Sequence, residues 1–266
     1  TASPEGPGFT APGKEAPKGW APISENRVVS AHLDDYGVLW YYDYSGQLWE
    51  FSGDGTVEYN DSGDPIVIDQ SPVENLSEII WSQDQKHIIK TGTSQSDINY
   101  LFSDYHKKTL INLKNNIKSL AFSPDFKKII YQISDLKCNS LFTGDPDGKN
   151  QKTLIKDFKL RDIVLNWPKT NQIALASKPS GLIPGSLWTL DVRNLTFSKL
   201  IDNLFGLEAL WSPDGNNFIY SYTDQNGQSP KLSIYKNGVL KNINNISTLV
   251  DKCAWKKDSI NIYCAV

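Results

Sequence analysis

The chain has 266 residues, 39% of them hydrophobic and 21% charged, which is enough for one large domain or two small ones with a substantial core. Its 27 basic and 30 acidic residues leave a formal charge of −3, so there is no electrostatic footprint for a nucleic-acid partner. An aromatic content of 11% excludes a disordered chain, and no apolar run approaches the roughly 18–20 residues that span a bilayer.

Residues Thr1 to Pro22 hold five prolines and four glycines, with Phe9 and Trp20 as their only large apolar side chains. Proline fixes φ and removes donors, so residues 1–22 read as a semi-extended linker or stalk without a core of its own. The chain contains no methionine, not even at position 1. Together these features predict a leader or anchor ahead of the stalk, and an extracytoplasmic (periplasmic or cell-surface) head tethered to a membrane.

From Ile23 to Val266 the chain repeats itself. A weak copy starts at Arg27, and clear ones start at Asn75, Ile117, Leu160, Phe205 and Leu249. Each has an apolar run ending in one aromatic, a short polar turn and a second apolar run. The aromatics Trp81, Phe122, Trp167, Trp211 and Trp255 lie 41, 45, 44 and 44 residues apart. That period is one four-stranded antiparallel propeller blade. In the fifth unit it predicts strands at Gly206–Trp211, Asn217–Tyr222, Lys231–Tyr235 and Val239–Ile243. The fold class is therefore an all-β propeller, residues 23–266, with five complete blades and a sixth that stops after two strands. A complete ring of seven is expected, closed by further chain or by another polypeptide, with Ile23–Val28 as a candidate outer strand of the last blade. The five aromatics are predicted to be blade anchors, each ending an inner strand and buried between blades. The following WSPDG-type turns make Asp84, Asp125, Asp214 and Asp258 turn formers rather than a ring of ligands.

The segments AFSPDFKKIIY and LWSPDGNNFIYSYTD resemble the repeats of TolB-like, WD-type bacterial β-propellers over roughly Ile23 to Val266. SKPSGLIPGSLWTLD, FGLEALWSPDG and DKCAWKKDSINIYCAV are similar to uncharacterised, membrane-anchored propeller proteins of candidate-phylum bacteria, which pair an N-terminal membrane helix and a linker with one propeller. The resemblance implies a fold and brings no catalytic residues with it, because propellers host many unrelated activities.

The chemistry expected of the chain is correspondingly sparse. GxSxG is absent, and His32, His87 and His106 read as surface residues near turns, so no catalytic triad is expected. Cys138, Cys253 and Cys264 form no CxxC, and Asp145, Asp147 and Gly148 begin a calcium-loop pattern that is not completed. No cofactor or metal is expected. One covalent feature follows from register. If Trp255 faces Ile262 across the last hairpin, then Cys253 faces Cys264, at a separation a disulfide can close. Such a bridge belongs to an oxidising compartment, with Cys138 left as a free thiol.

Among the loops, Lys178–Gly185 (KPSGLIPG) stands out, with Leu182 and Ile183 between two prolines. Lys178, Leu182 and Ile183 are either a partner contact or a cover tucked over the propeller's own core. The function expected is a non-enzymatic propeller that binds or scaffolds protein partners. The alternative is an enzyme-associated propeller, either glycan-active or accessory to a peptidase domain.

Overall fold

Runs of four to eight β-branched and aromatic residues, cut by Asp, Asn, Gly and Pro, favour antiparallel meanders joined by short turns. The computed structural model of the protein describes residues 27–33, 39–44, 46–51, 67–69, 76–82, 87–94, 97–104, 109–113, 116–134 and 139–265. The stalk 1–22, Asp84, His106 and Cys138 lie outside the described residues. The chain divides into two units, Thr1–Ser71 and Pro72–Val266.

The first unit contains one four-stranded sheet of β1 (Val28–Leu33), β2 (Leu39–Asp43), β3 (Leu48–Phe51) and β4 (Val67–Asp69), paired in chain order. Val28 pairs with Asp43 and so opens this first blade, while residues 23–26 of the candidate outer strand lie outside the described residues. Asp43 is buried and accepts a hydrogen bond from the Trp49 indole N–H at 2.9 Å, tying β2 to β3.

In the second unit, β5 (Leu76–Trp81), β6 (His87–Ser94), β7 (Asp97–Asp104) and β8 (Thr109–Asn112) form one sheet. The next is formed by β9 (Ile117–Phe122), β10 (Ile129–Ser134), β11 (Asn139–Gly144) and β12 (Lys152–Ile155). Then come β13 (Ile163–Lys169), β14 (Gln172–Ser177), β15 (Gly185–Asp191) and the 16-residue β16 (Thr196–Trp211). They continue into β17 (Phe218–Thr223), β18 (Lys231–Lys236) and β19 (Val239–Ile243) as a seven-stranded sheet. A short 3-10 turn, Val250–Lys252, leads to the hairpin of β20 (Cys253–Trp255) and β21 (Ile262–Cys264).

The seven-stranded sheet departs from the expected separate blades. The first part of β16 pairs with β15 up to Leu204, and the rest pairs with β17 from Phe205 onward. Two left-handed residues, Asn203 (φ 60) and Gly206 (φ 59), turn the chain at the handover without interrupting the strand. Gly206 is needed there because a Cβ would also lie 2.9 Å from the Thr223 hydroxyl oxygen.

Between successive blades of this unit lie apolar clusters. Tyr100, Phe102 and Leu113 pack with Ile117, Phe122 and Tyr131, and Ile130 and Leu141 pack with Leu165 and Ile173. Ala174 and Leu187 pack with Leu207 and Phe218, and Ile219 and Leu232 pack with Val250. The sheets that lie between two of these clusters bury both faces, which is why their strands read as near-continuous apolar runs. A buried polar clasp holds one crossover: the Gln132 side-chain amide donates to Asn139 Oδ1 and to the Leu160 carbonyl, both at 2.8 Å.

The turn grammar is visible atom by atom. Ser123 Oγ accepts the Lys128 amide at 2.9 Å and donates to Asp125 at 2.7 Å. Ser212 repeats this with Asn217 and Asp214 at 3.0 and 2.6 Å. Asp258 accepts the Ile260 and Asn261 amides, both at 2.9 Å. These bonds to the charged form, led by the Asn261 amide, hold Asp258 down at about 2. The Arg193 guanidinium, followed by its amide, does the same to Asp191, also at about 2. Because both folded values lie below the unfolded value of about 3.9, the stability they add is complete above that value. It is lost as pH falls from about 4 through about 2, so urea midpoints should drop across that acid window. In Asp258→Asn part of that slope should disappear; an unchanged slope would deny Asp258 this role.

Candidate functional site

An antiparallel meander places alternate connections at opposite ends of its sheet. The loop between β14 and β15 therefore emerges at the end where one blade crosses into the next. The β13–β14 and β15–β16 turns lie at the other end. The two candidate regions of the second unit occupy these two ends.

At the crossover end, residues 178–184 form a loop held from three sides. The Lys178 amide donates to the Asp162 carbonyl at 2.8 Å, and the Gly206 amide donates to the Ser180 carbonyl at 2.7 Å. Ser180 Oγ accepts the Leu182 and Ile183 amides at 3.1 and 3.2 Å. Gly181 sits so close to Gly227 of the neighbouring β17–β18 loop that a Cβ would come within 3.0 Å of the Gly227 Cα. On this braced backbone Leu182 is 85% exposed and Ile183 69% exposed, and Lys178 is exposed beside them. The two aliphatic side chains are displayed, so of the two readings open from sequence the tucked cover does not describe this loop.

At the opposite end, the anchors depart from expectation. Trp81, Phe122, Trp211 and Trp255 do close their inner strands, and Trp167 lies two residues inside the end of β13. Phe122 is buried, but the four tryptophans are only half-buried. Trp167, Trp211 and Trp255 each pack against the cluster shared with the preceding blade. One part of the indole fills that wedge. For Trp167 and Trp211 another part walls an inter-blade cleft, of about 510 Å3 at Trp167 and about 320 Å3 at Trp211. Nothing in the repeat spacing signals these clefts. Gly144 stands in the first lining, and Gly215 and Gly238 in the second.

The two described histidines, His32 and His87, also differ from the surface reading. His87 lies 3.4 Å from the buried Asp104 carboxylate and stacks on Phe102 at 5.5 Å. His87 and Asp104 are cross-strand partners on β6 and β7, and the Ser82 hydroxyl accepts the His87 backbone amide at 3.0 Å. This is the turn geometry of Ser123 and Ser212. His32 is half-buried within β1. No cluster of three or more potential metal ligands occurs among the described residues.

Cys253 and Cys264 are directly paired on β20 and β21 and joined by a disulfide, their Cα atoms 4.0 Å apart. The flanking pairs carry the ladder bonds, Ala265 to Lys252 and Lys256 to Asn261, both at 2.9 Å. The cysteines thus occupy a non-hydrogen-bonded site, where opposed side chains come closest. They share a face with Trp255 and Ile262 and pack with them against the fifth-blade cluster.

No protein-family model matches the chain, and no curated protein sequence does either. Solved structures share the fold at low identity. TolB from Acinetobacter baumannii matches with a TM-score of 0.56 at 16% identity, over 83% of this chain and 55% of its own. The β-propeller domain of the Trilobed protease from Pyrococcus furiosus gives 0.54 at 13% identity, over 82% and 71%. The WD40 domain of Toxoplasma gondii coronin gives 0.52 at 10%, over 82% and 58%. The chain spans about half the length of the TolB chain. These likenesses, together with the four-stranded antiparallel sheets, show a β-propeller fold with TolB-like, WD40 and protease-associated neighbours. No helix among the described residues is long and apolar enough to cross a membrane.

Proposed function

We propose that the protein is a non-enzymatic propeller that binds or scaffolds protein partners outside the cytoplasmic membrane, and that Lys178, Leu182 and Ile183 form its contact. One observation carries the reading: a loop braced by backbone and serine bonds holds two aliphatic side chains almost fully in solvent. Burying such side chains in a partner's apolar pocket yields hydrophobic stabilisation without the further cost of ordering the loop backbone, which is already set. The Cys253–Cys264 bridge supports an oxidising location, and the Pro/Gly-rich residues 1–22 suit a stalk between an anchor and the head. A role as the accessory propeller of a peptidase is the second reading, favoured by the likeness to the Trilobed protease propeller.

The double substitution Leu182→Ser and Ile183→Ser tests the first reading. Tagged full-length protein purified from its own cells should lose its co-purifying partner, while the melting temperature moves by no more than about 2 °C, as for other exposed changes. Retention of the partner, or a large fall in melting temperature, would reject the loop as the contact. Fractionation of the same cells checks the location, since recovery only in the soluble cytoplasm contradicts it.

A further inference from the structure

The two inter-blade clefts occupy equivalent positions one repeat apart, at the ends of their sheets remote from the Lys178–Gly185 loop. Their tryptophans, Trp167 and Trp211, are 44 residues apart. Lys128 in the first cleft immediately precedes β10, and Gln172 in the second opens β14. Leu154 and Leu200 come from the corresponding outer strands. Val192 and Asn237 directly follow β15 and β18. A structural repeat that presents the same kind of cleft twice suits a ligand that is itself made of like units.

The linings say what those units are. Each cleft offers one indole and a set of exposed or half-exposed polar groups: Lys152 in the first, and Lys169, Gln172 and Asn237 in the second, while the Asn150 and Asn216 side-chain amides that also line them already donate to Asp145 and Asp214. The electron-rich face of an indole attracts the C–H bonds of a saturated ring. Planar amides donate and accept at once, which matches vicinal hydroxyl groups. The volumes, about 510 and about 320 Å3, fall within the usual range for small-ligand sites.

Charge narrows the class further. Neither lining contains an aspartate or glutamate. Lys128 is paired with Asp145, but Lys152 and Lys169 have no carboxylate partner among the described residues. A lysine free at the mouth of each cleft favours a carboxylate on each unit of the ligand.

We propose that the clefts at Trp167 and Trp211 are successive subsites for an acidic saccharide, one sugar ring lying on each indole with its carboxylate met by Lys152 in the first and Lys169 in the second. This site is separate from the protein-contact loop and stands whether or not that loop binds a partner.

Titration with three tetramers, tetragalacturonate, neutral cellotetraose and tetraglutamate, followed by calorimetry and tryptophan fluorescence, tests it. Tetragalacturonate should bind saturably and roughly tenfold or more tighter than either comparator. Lys152→Gln and Lys169→Gln should each weaken it by roughly fivefold or more, and together abolish it, at an unchanged melting temperature. Absence of saturable tetragalacturonate binding at millimolar concentration overturns the proposal. So does equal binding of tetraglutamate, which would mean charge alone, or equal binding of cellotetraose, which would remove the lysines' role. The comparison of probes on the unaltered protein decides the matter even if a variant folds poorly.

Discussion

Gly215→Ala should destabilise the protein by roughly 4 kcal/mol, near the upper end for single substitutions. Gly215 has φ +67, which an alanine adopts only with strain. The added Cβ would also lie 2.0 Å from the Pro168 carbonyl oxygen and 2.7 Å from its carbon. Both are backbone atoms near the end of β13 in the preceding blade, so neither can swing aside as a flexible side chain does. The next turn leans on this one as well, since the Asp214 amide donates to Ser259 Oγ at 3.0 Å. Pro168, Gly215 and Ser259 thus interlock three consecutive blades, and the substitution should loosen all three. Gly238 provides the control, with φ +80 and nothing within 4 Å of its Cβ position. Gly238→Ala should cost only about 1–2 kcal/mol, the strain contribution alone. Urea unfolding of the two variants side by side would settle it. Equal losses would mean that the approach to Pro168 carries no energetic weight.

Breaking the bridge between Cys253 and Cys264 should lower stability by about 2–3 kcal/mol, the chain-entropy value for a loop of this size. The cysteines are 11 residues apart and close the hairpin of β20 and β21. This pair of three-residue strands is the shortest sheet among the described residues. Short two-stranded hairpins are marginal in water, so the covalent link contributes where hydrogen bonding is thinnest. Its loss should also release Trp255, whose indole N–H donates to the Leu210 carbonyl at 3.0 Å. Thermal unfolding of Cys253→Ala/Cys264→Ala in parallel with dithiothreitol-treated protein should give the same lowered midpoint. Thiol titration of the denatured, unreduced chain should find one reactive group, Cys138. Three groups would show the bridge absent from the protein as made.

The strand grammar of the fifth unit was readable because its turn residues punctuate every strand. The predicted Val239–Ile243 is observed as β19, and the predicted Gly206–Trp211 is the second half of β16. The pairing of Cys253 with Cys264 was readable for the same reason, because a tight turn fixes register for the few residues that follow it. The partial exposure of the tryptophans was not. A period marks which residue reaches the wedge between blades, but how much of the ring is covered depends on how the side chains of the two facing blades pack around it. Gly238 is an unremarkable turn residue in sequence, and in three dimensions it lines the Trp211 cleft with nothing within 4 Å of its Cβ position. The loop at Leu182 and Ile183 lay between these cases. Its composition marked it as unusual, but whether it tucks in or stands out depended on Ser180 and on the close passage of Gly181 by Gly227, 46 residues away.

The uninterrupted run of β16 through two blades bears on how such a chain could have been lengthened or shortened over time. Repeat proteins ordinarily gain and lose copies at a linker, where a cut or a duplication leaves every ladder whole. Between Leu204 and Phe205 there is no linker, because one residue still pairs with Gly185 behind it and the next already pairs with Thr223 ahead. A recombination event at that boundary would sever a strand that both neighbours need as an edge. The fourth and fifth blades are therefore a single inheritable module of two repeats, and grafting, permutation or domain insertion should fail at this boundary.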